Sequence, residues 1–369
     1  MSKKKKIRIC YPFVGDSIGG SHLSTIELIK KLDKSKFEMI LILHKKGILY
    51  EYLIKEGLKP IFLKIDTFVG KKKGIAVNFL SIYKNIFKLI PFINRNNINI
   101  VHLNDSSIGL SWIIPTRLSK AKLVWHQRIV FPNWKLYKIL SFFSEKIICI
   151  SDFVYESLPK YNKNKSIKIL NPVTLKEKEK NNYFLKKKYF GNKKEKRILF
   201  LANIIENKRI DLFIKTAKTI SNLNPNVKFF IVGSDKKKLL KKSTLDGFKN
   251  KIIYIGYSND SVFWLKNCDL LLVTSENEGF NRTIVEGMLS KIPIIAVDSG
   301  AHNEIIKNNY NGWLIKFNNL NILTKISLEV LNLKKNLLTK ILKRAEIFAK
   351  KKFNPNNHVT KISQIYLEF

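Results

Sequence analysis

Short apolar runs rich in Ile, Leu and Val alternate along the chain with longer stretches whose apolar residues return every three or four positions. Runs of strand length between stretches of helical period predict parallel strands covered by helices. The alternation occurs twice. In the first half the strands are expected near Ile7–Tyr11, Phe37–Leu43, Pro60–Ile65, Ile98–Leu103, Ala121–His126, Lys146–Ile150 and Ile167–Leu170, with helices over segments such as Ser21–Leu32 and Ile75–Ile93. Between Thr174 and Lys196 the composition shifts to Lys, Glu and Asn without a long apolar period, which predicts an exposed connection carrying at most a short helix. Strands resume near Arg197–Leu201, Val227–Val232, Ile252–Ile255, Leu270–Val273 and Pro293–Val297. From Asn354 to Phe369, Val359, Ile362, Ile365 and Tyr366 fall at helical spacing and predict a final amphipathic helix.

At 369 residues the chain has the length of about two domains. The fold class expected is α/β, with two doubly wound parallel sheets, and such sheets bind ligands beyond the carboxyl ends of their strands, so a shared cleft is expected there. Lys and Arg number 68 against 28 Asp and Glu, a net charge of +40. That balance suits a polyanion or an anionic membrane surface, and Lys3–Lys6 and Lys71–Lys73 are the densest basic runs of the first half. Only eight of the cations are arginines and the lysines are dispersed, so half of the signal reads as a solvated lysine coat, and no nucleic-acid-binding module is recognised. Cys10, Cys149 and Cys268 are odd in number, far apart and without a CxxC pair, the pattern of reduced core thiols in a cytosol. No run approaches the ~20 apolar residues that span a bilayer, so any membrane contact is expected to be peripheral.

Three loops carry candidate chemistry. The first strand ends in Gly15-Asp16-Ser17-Ile18-Gly19-Gly20-Ser21 and opens a helix, where free backbone N–H groups favour an anion or a sugar hydroxyl. The spacing is neither the dinucleotide GxGxxG nor a P-loop, and the alternative to a ligand-facing role is an ordinary strand-to-helix turn, the reading in which Ser21 is the N-cap. After the first strand of the second half, Lys208 and Arg209 open a helix, and a fixed cation beside a helix start suits a diphosphate. The third loop, Ser275-Glu276-Asn277-Glu278-Gly279-Phe280-Asn281-Arg282, leads into a helix that carries Glu286. Glu278 in the loop and Glu286 one turn inside the helix form a carboxylate pair able to hold the hydroxyls of a sugar and a ribose. Gly279 permits close approach of the backbone, and the N–H groups of Phe280 to Arg282 face outward at the helix start. His102 and His126 follow strand ends of the first half; Gln127 and Arg128 add polar groups beside His126, making it the better candidate to reach the cleft.

Together these motifs resemble glycosyltransferase family 4, the retaining, nucleotide-sugar-dependent enzymes of the GT-B fold, over essentially the whole chain. The E-x7-E element corresponds to Glu278 and Glu286, within Glu278-Gly279-Phe280 and Val285-Glu286-Gly287-Met288; Ser299-Gly300-Ala301 with Glu304, and Asn311-Gly312-Trp313-Leu314, also fit. The family's double glycine corresponds to Gly19 and Gly20, its first-domain histidine to His126, and its exit motif to Asn171-Pro172-Val173. The resemblance implies that Lys208 binds the donor diphosphate, Glu278 the hydroxyls of the transferred sugar and Glu286 the ribose, with Gly256 and Tyr257 beside the base. The family usually places Gly-Arg before the lysine where this chain has Ala202-Asn203, and the glycine after the lysine is replaced by Arg209. Arg209 or Arg282 is therefore expected to supply the missing charge.

The domains expected are residues 1–173, a linker over 174–196, a nucleotide-sugar domain over 197–350, and a helical segment over 351–369 packing back on the first domain. The activity expected is transfer of a sugar from a nucleotide-sugar donor to a glycan or lipid-linked glycan acceptor in surface polysaccharide biosynthesis, on the cytoplasmic side of a membrane. No cofactor or metal is expected, because the sequence lacks an Asp-x-Asp element and cations on the protein must neutralise the leaving diphosphate. The competing readings are a sugar-nucleotide epimerase of similar architecture and a catalytically silent scaffold subunit.

Overall fold

The computed structural model describes residues 5–65, 79–104, 106–130, 138, 141–175, 183–191, 194–316 and 319–369. Lys3, Lys4 and Lys71–Lys73 lie outside them, as do the first residues of the helix expected from Ile75 and part of the expected linker. The chain forms two compact units. One runs to Pro172 and takes in Pro355–Phe369, and the other is Val173–Asn354.

In the first unit, β1 (Ile7–Phe13), β2 (Phe37–Leu43), β3 (Ile61–Phe62), β4 (Ile100–Leu103), β5 (Lys122–Gln127), β6 (Lys146–Cys149) and β7 (Ser166–Lys168) form one parallel sheet in the order β3-β2-β1-β4-β5-β6-β7. The central strands are buried on both faces, which is why they read as continuous apolar runs. On one face Ile9, Tyr11 and Phe13 pack with Ile26, Leu28 and Ile29 of the helix Gly20–Lys31. The helix Pro355–Leu367 closes the same core with Ile362, Ile365 and Tyr366, all nearly without solvent contact. The β3 strand is shorter than the run Pro60–Ile65 suggested: Ile61 and Phe62 lie on the sheet edge and are exposed, so no burial extends the pairing. Gly19, not Ser21, caps the helix Gly20–Lys31. Its backbone is extended, and its N–H donates to Nδ1 of His22 at 3.1 Å.

In the second unit, β8 (Lys196–Leu201), β9 (Val227–Val232), β10 (Ile252–Gly256), β11 (Leu270–Val273), β12 (Ile294–Asp298) and β13 (Trp313–Lys316) form a parallel sheet in the order β10-β9-β8-β11-β12-β13. The expected strands are all present, and β13 is added. In the connection that leads to β8, the helix Tyr183–Phe190 sets Phe190 against Phe230, Phe263 and Trp264, so these aromatics belong to the second unit's packing. In each sheet the strand order reverses beside the unit's first strand, between β1 and β4 and between β8 and β11. Such a reversal leaves a crevice at the carboxyl ends of the two strands. Cys10 and Cys149 are buried free thiols, and burial pushes the Cys149 thiol up to about 12. Among the described residues no helix is long and apolar enough to cross a membrane.

Candidate active site

The switch point of the second sheet gathers most of the predicted residues. Leaving β8, the chain makes one turn of 3-10 helix, Glu206–Lys208, before the helix Ile210–Leu223. Lys208 sits in that turn, ahead of the helix and not within it. Thr274, just past β11, donates from its hydroxyl to the Lys208 carbonyl at 2.9 Å, and Glu276 N–H donates to the Asn207 carbonyl at 2.8 Å. These two bonds lash the loops that follow β8 and β11 together. A recess at the strand ends is lined by Ala202, Lys208, Thr274, Ser275, Asn281 and Thr283.

Glu278 is held by its backbone. Its carbonyl accepts from Ala301 N–H at 2.8 Å, and the preceding Asn277 N–H donates to the Ser299 hydroxyl at 2.9 Å. Gly300, at φ +61°, lies so close that a Cβ there would come within 2.5 Å of both the nitrogen and the oxygen of Glu278. Only glycine serves at this position, for its conformation and for its size. Held in this way, the Glu278 carboxylate forms an ion pair with the Lys208 ammonium, both side chains being mostly buried.

The helix Arg282–Leu289 begins at Asn281, whose side-chain oxygen accepts from Ile284 N–H at 3.3 Å. Its amide donates to the Ser275 hydroxyl at 3.0 Å and to Nε2 of buried His302 at 3.2 Å, while His302 Nδ1 donates to the Val297 carbonyl. One asparagine thereby caps the helix and fixes the loop in front of it. Arg282 pairs with Glu286 one turn on, at 2.7 Å. Glu278 and Glu286 are thus each countered by a different cation, and Arg282 does not bridge to Glu278. Gly279 is buried, and Phe280 packs on Phe353 with ring centroids 5.5 Å apart.

Arg209 adopts a left-handed conformation, φ +50°, as the cap before the helix Ile210–Leu223. A side chain costs about 1–2 kcal/mol in that region. The guanidinium is engaged by Asp211 at 2.9 Å and by Glu276 at 3.4 Å. Asn203 is exposed and accepts from Ser234 N–H at 3.3 Å, and Gly233 N–H donates to the Gly256 carbonyl at 2.8 Å. Gly256 closes β10, and Tyr257 follows it, 72% exposed. The turn at Gly233-Ser234, which joins Asn203 to Gly256, was not among the predicted residues. Its sequence signal is a glycine directly after the apolar run Val227–Val232.

In the first unit, Gly19 and Gly20 stand at the helix start beyond β1. His126, in β5, does not reach solvent in this unit: it is 0% exposed, as is His102, whose Nε2 lies 3.2 Å from His126 Nδ1. The expectation of an open histidine is corrected to a buried one. Arg128, also buried, bonds Asn104 at 2.6 Å, Asn171 at 2.5 Å and Thr25 at 3.0 Å, and its remaining contact is His126 Nδ1 at 3.3 Å. Burial, then the charge of Arg128, hold the imidazole of His126 well below its ordinary pKa and that of His102 down to about 3.

Residues 182–348 match the family described as glycosyl transferases group 1. The chain is 26% identical over 344 residues to an uncharacterized glycosyltransferase of Methanocaldococcus jannaschii, covering 88% of this chain and 87% of that one. It is 25% identical to the UDP-Gal:alpha-D-GlcNAc-diphosphoundecaprenol alpha-1,3-galactosyltransferase of Escherichia coli, covering 100% of this chain and 98% of that one. Among solved structures, Anabaena HepE in complex with UDP and glucose superposes with a TM-score of 0.83 at 17% identity, over 98% of this chain and 100% of that one. The two parallel-sheet units thus have the GT-B fold, and residues 182–348 of the second resemble the glycosyl transferases group 1.

Proposed function

We propose that this protein is a retaining glycosyltransferase of family 4 type, moving a sugar from a nucleotide-sugar donor to a glycan or lipid-linked glycan acceptor in surface polysaccharide biosynthesis. The observation that carries the reading is the Lys208–Glu278 pair at the switch point of the second sheet. A cation and a carboxylate in contact offer the two groups that a sugar diphosphate requires, and the donor's diphosphate takes over the ammonium as Glu278 turns to the sugar hydroxyls. Glu286 serves the ribose, and Gly256 and Tyr257 lie beside the base. The name of the Escherichia coli relative supports a lipid-linked acceptor.

In the reaction the bond from the anomeric carbon to the diphosphate oxygen breaks, and Lys208 stabilises the charge that develops on that oxygen. The acceptor hydroxyl attacks on the same face, a new glycosidic bond forms, and its proton passes to a diphosphate oxygen. The test is product analysis with a panel of nucleotide sugars, with and without a lipid-linked acceptor. Transfer that requires the acceptor supports the reading, whereas conversion of the donor alone indicates an epimerase.

Because a fixed lysine and a helix start take the leaving group's charge, turnover is expected to survive EDTA. Loss of activity with the chelator, restored by magnesium or manganese, overturns that step. Arg209 bears on the same site. Its guanidinium is committed to two carboxylates, so Arg209→Ala is expected to alter nucleoside-diphosphate affinity by no more than about ±0.5 kcal/mol, the range of an ordinary surface change. Calorimetric titration decides it: a tenfold loss of affinity in this variant would instead assign Arg209 to the diphosphate.

A further inference from the structure

Arg128 is a buried cation among neutral groups. Thr25, Asn104, His126 and Asn171 receive its hydrogen bonds, and no carboxylate pairs with it among the described residues. A buried charge without a counter-charge is costly, so its retention calls for something that only a cation of this shape supplies. A guanidinium has donors and no acceptor. Where it meets His126 Nδ1, that nitrogen must be the bare, accepting one.

The rest of the network then follows link by link. His102 Nε2, 3.2 Å from the same Nδ1, has to donate, which leaves His102 Nδ1 bare. The Tyr366 hydroxyl, 2.7 Å away, must donate to that bare nitrogen, and Tyr11 in turn donates to Tyr366 at 2.8 Å. One direction runs through the whole chain, from Tyr11 through Tyr366 and His102 to His126. It ends on His126 Nε2–H, a fully buried donor without a partner among the described residues. The stacked neighbour His358 is oriented independently: its Nδ1 lies 2.8 Å from the Leu170 carbonyl and must donate to it.

We infer that Arg128 is a positioning residue that locks His126 into the neutral Nε2–H form, so that the network ends in a buried hydrogen-bond donor with no basic nitrogen to offer. The direction of the network follows from its hydrogen bonds and stands without the proposed function. The buried imidazoles, held neutral by desolvation and by the Arg128 charge, agree with this assignment.

The experiment is nitrogen-15 NMR of the full chain labelled at its six histidines, each resonance assigned by single substitution. Wild type should show a bare Nδ1 and a protonated Nε2 for His126 and His102, and the opposite pattern for His358. In Arg128→Met the two His126 nitrogens should move toward averaged positions. Protonated Nδ1 on His126 in wild type, or an unchanged His126 in folded Arg128→Met, overturns the inference. If Arg128→Met does not fold, Tyr366→Phe decides: a lock imposed by Arg128 leaves the His126 pattern as it was, whereas a changed pattern places control at the tyrosine end and refutes the assignment. Absence of glycosyl transfer would refute the function while leaving this spectrum as it is.

Discussion

Glu278→Gln should bind a nucleoside diphosphate at least as tightly as wild type while its turnover falls by about tenfold to a hundredfold. The two effects have opposite signs for one reason. In the free enzyme Glu278 occupies the Lys208 ammonium, so neutralising the carboxylate releases the cation for the diphosphate. In the reactive complex the same carboxylate positions the sugar, and a hydrogen bond to a charged acceptor is worth about 1.5–3 kcal/mol, which appears in the rate at roughly tenfold per 1.4 kcal/mol. Lys208→Met should weaken both affinity and rate. Calorimetry beside initial-rate kinetics separates the outcomes: unchanged turnover in folded Glu278→Gln removes this residue from the mechanism, and weakened diphosphate affinity contradicts the competition for Lys208.

Acid should unfold the first unit before the second. His102 is held down to about 3 and His358 to about 4, each chiefly by burial, and His126 is depressed as well. The groups facing them are Arg128 and, for His358, also Lys361, all of one sign. A histidine with a lowered folded pKa is neutral in the folded state and takes a proton once unfolded. Stability is therefore intact above the ordinary value of 6.5 and declines as pH falls from there toward 3–4. Each such histidine contributes a slope of about 1.4 kcal/mol per pH unit, so three give roughly 4 kcal/mol per unit. Arg128, lowered to about 9 by burial, stays protonated in both states across this window and adds no slope. Denaturant midpoints followed by the emission of Trp112 and Trp125, both buried in the first unit, should fall steeply between pH 6 and 4. His358→Phe should flatten that fall by about one histidine's share. A midpoint indifferent to pH over this range would show that the buried imidazoles already carry protons in the folded state.

What was legible in the sequence was what is local. The central strands of both sheets declare themselves because they are buried on both faces and so carry uninterrupted apolar runs. The Glu278 to Glu286 spacing is legible for a similar reason, since one loop and one helical turn contain it. Strand β13 escaped because Trp313–Lys316 is four residues long, alternates in burial and directly follows a turn. The cap at Gly19 escaped because a serine two positions on is the better capping residue by propensity, while the backbone had already entered the helix. Contacts between distant segments left no trace at all. Lys208 meets Glu278 across 70 positions, and Arg128 draws on Thr25, Asn104 and Asn171, which share nothing in sequence. The aromatic and histidine groups of Pro355–Leu367 looked like an ordinary amphipathic face, although they line the first unit's polar interior.

The return of Pro355–Phe369 to the first unit imposes an order on biosynthesis. Ile362, Ile365 and Tyr366 fill the core formed by β1, β2 and the helix Gly20–Lys31, yet they leave the ribosome only after the whole of Val173–Asn354 has been made. At about 5–20 residues per second, that interval is roughly 10–40 s. Throughout it the nascent first half carries an uncovered apolar face, while the intervening unit is free to complete its own core. A chaperone that shields this face during translation should raise the soluble yield. A stop codon after Asn354 should do the reverse, leaving residues 1–172 intact in sequence but aggregating for want of a helix encoded far downstream.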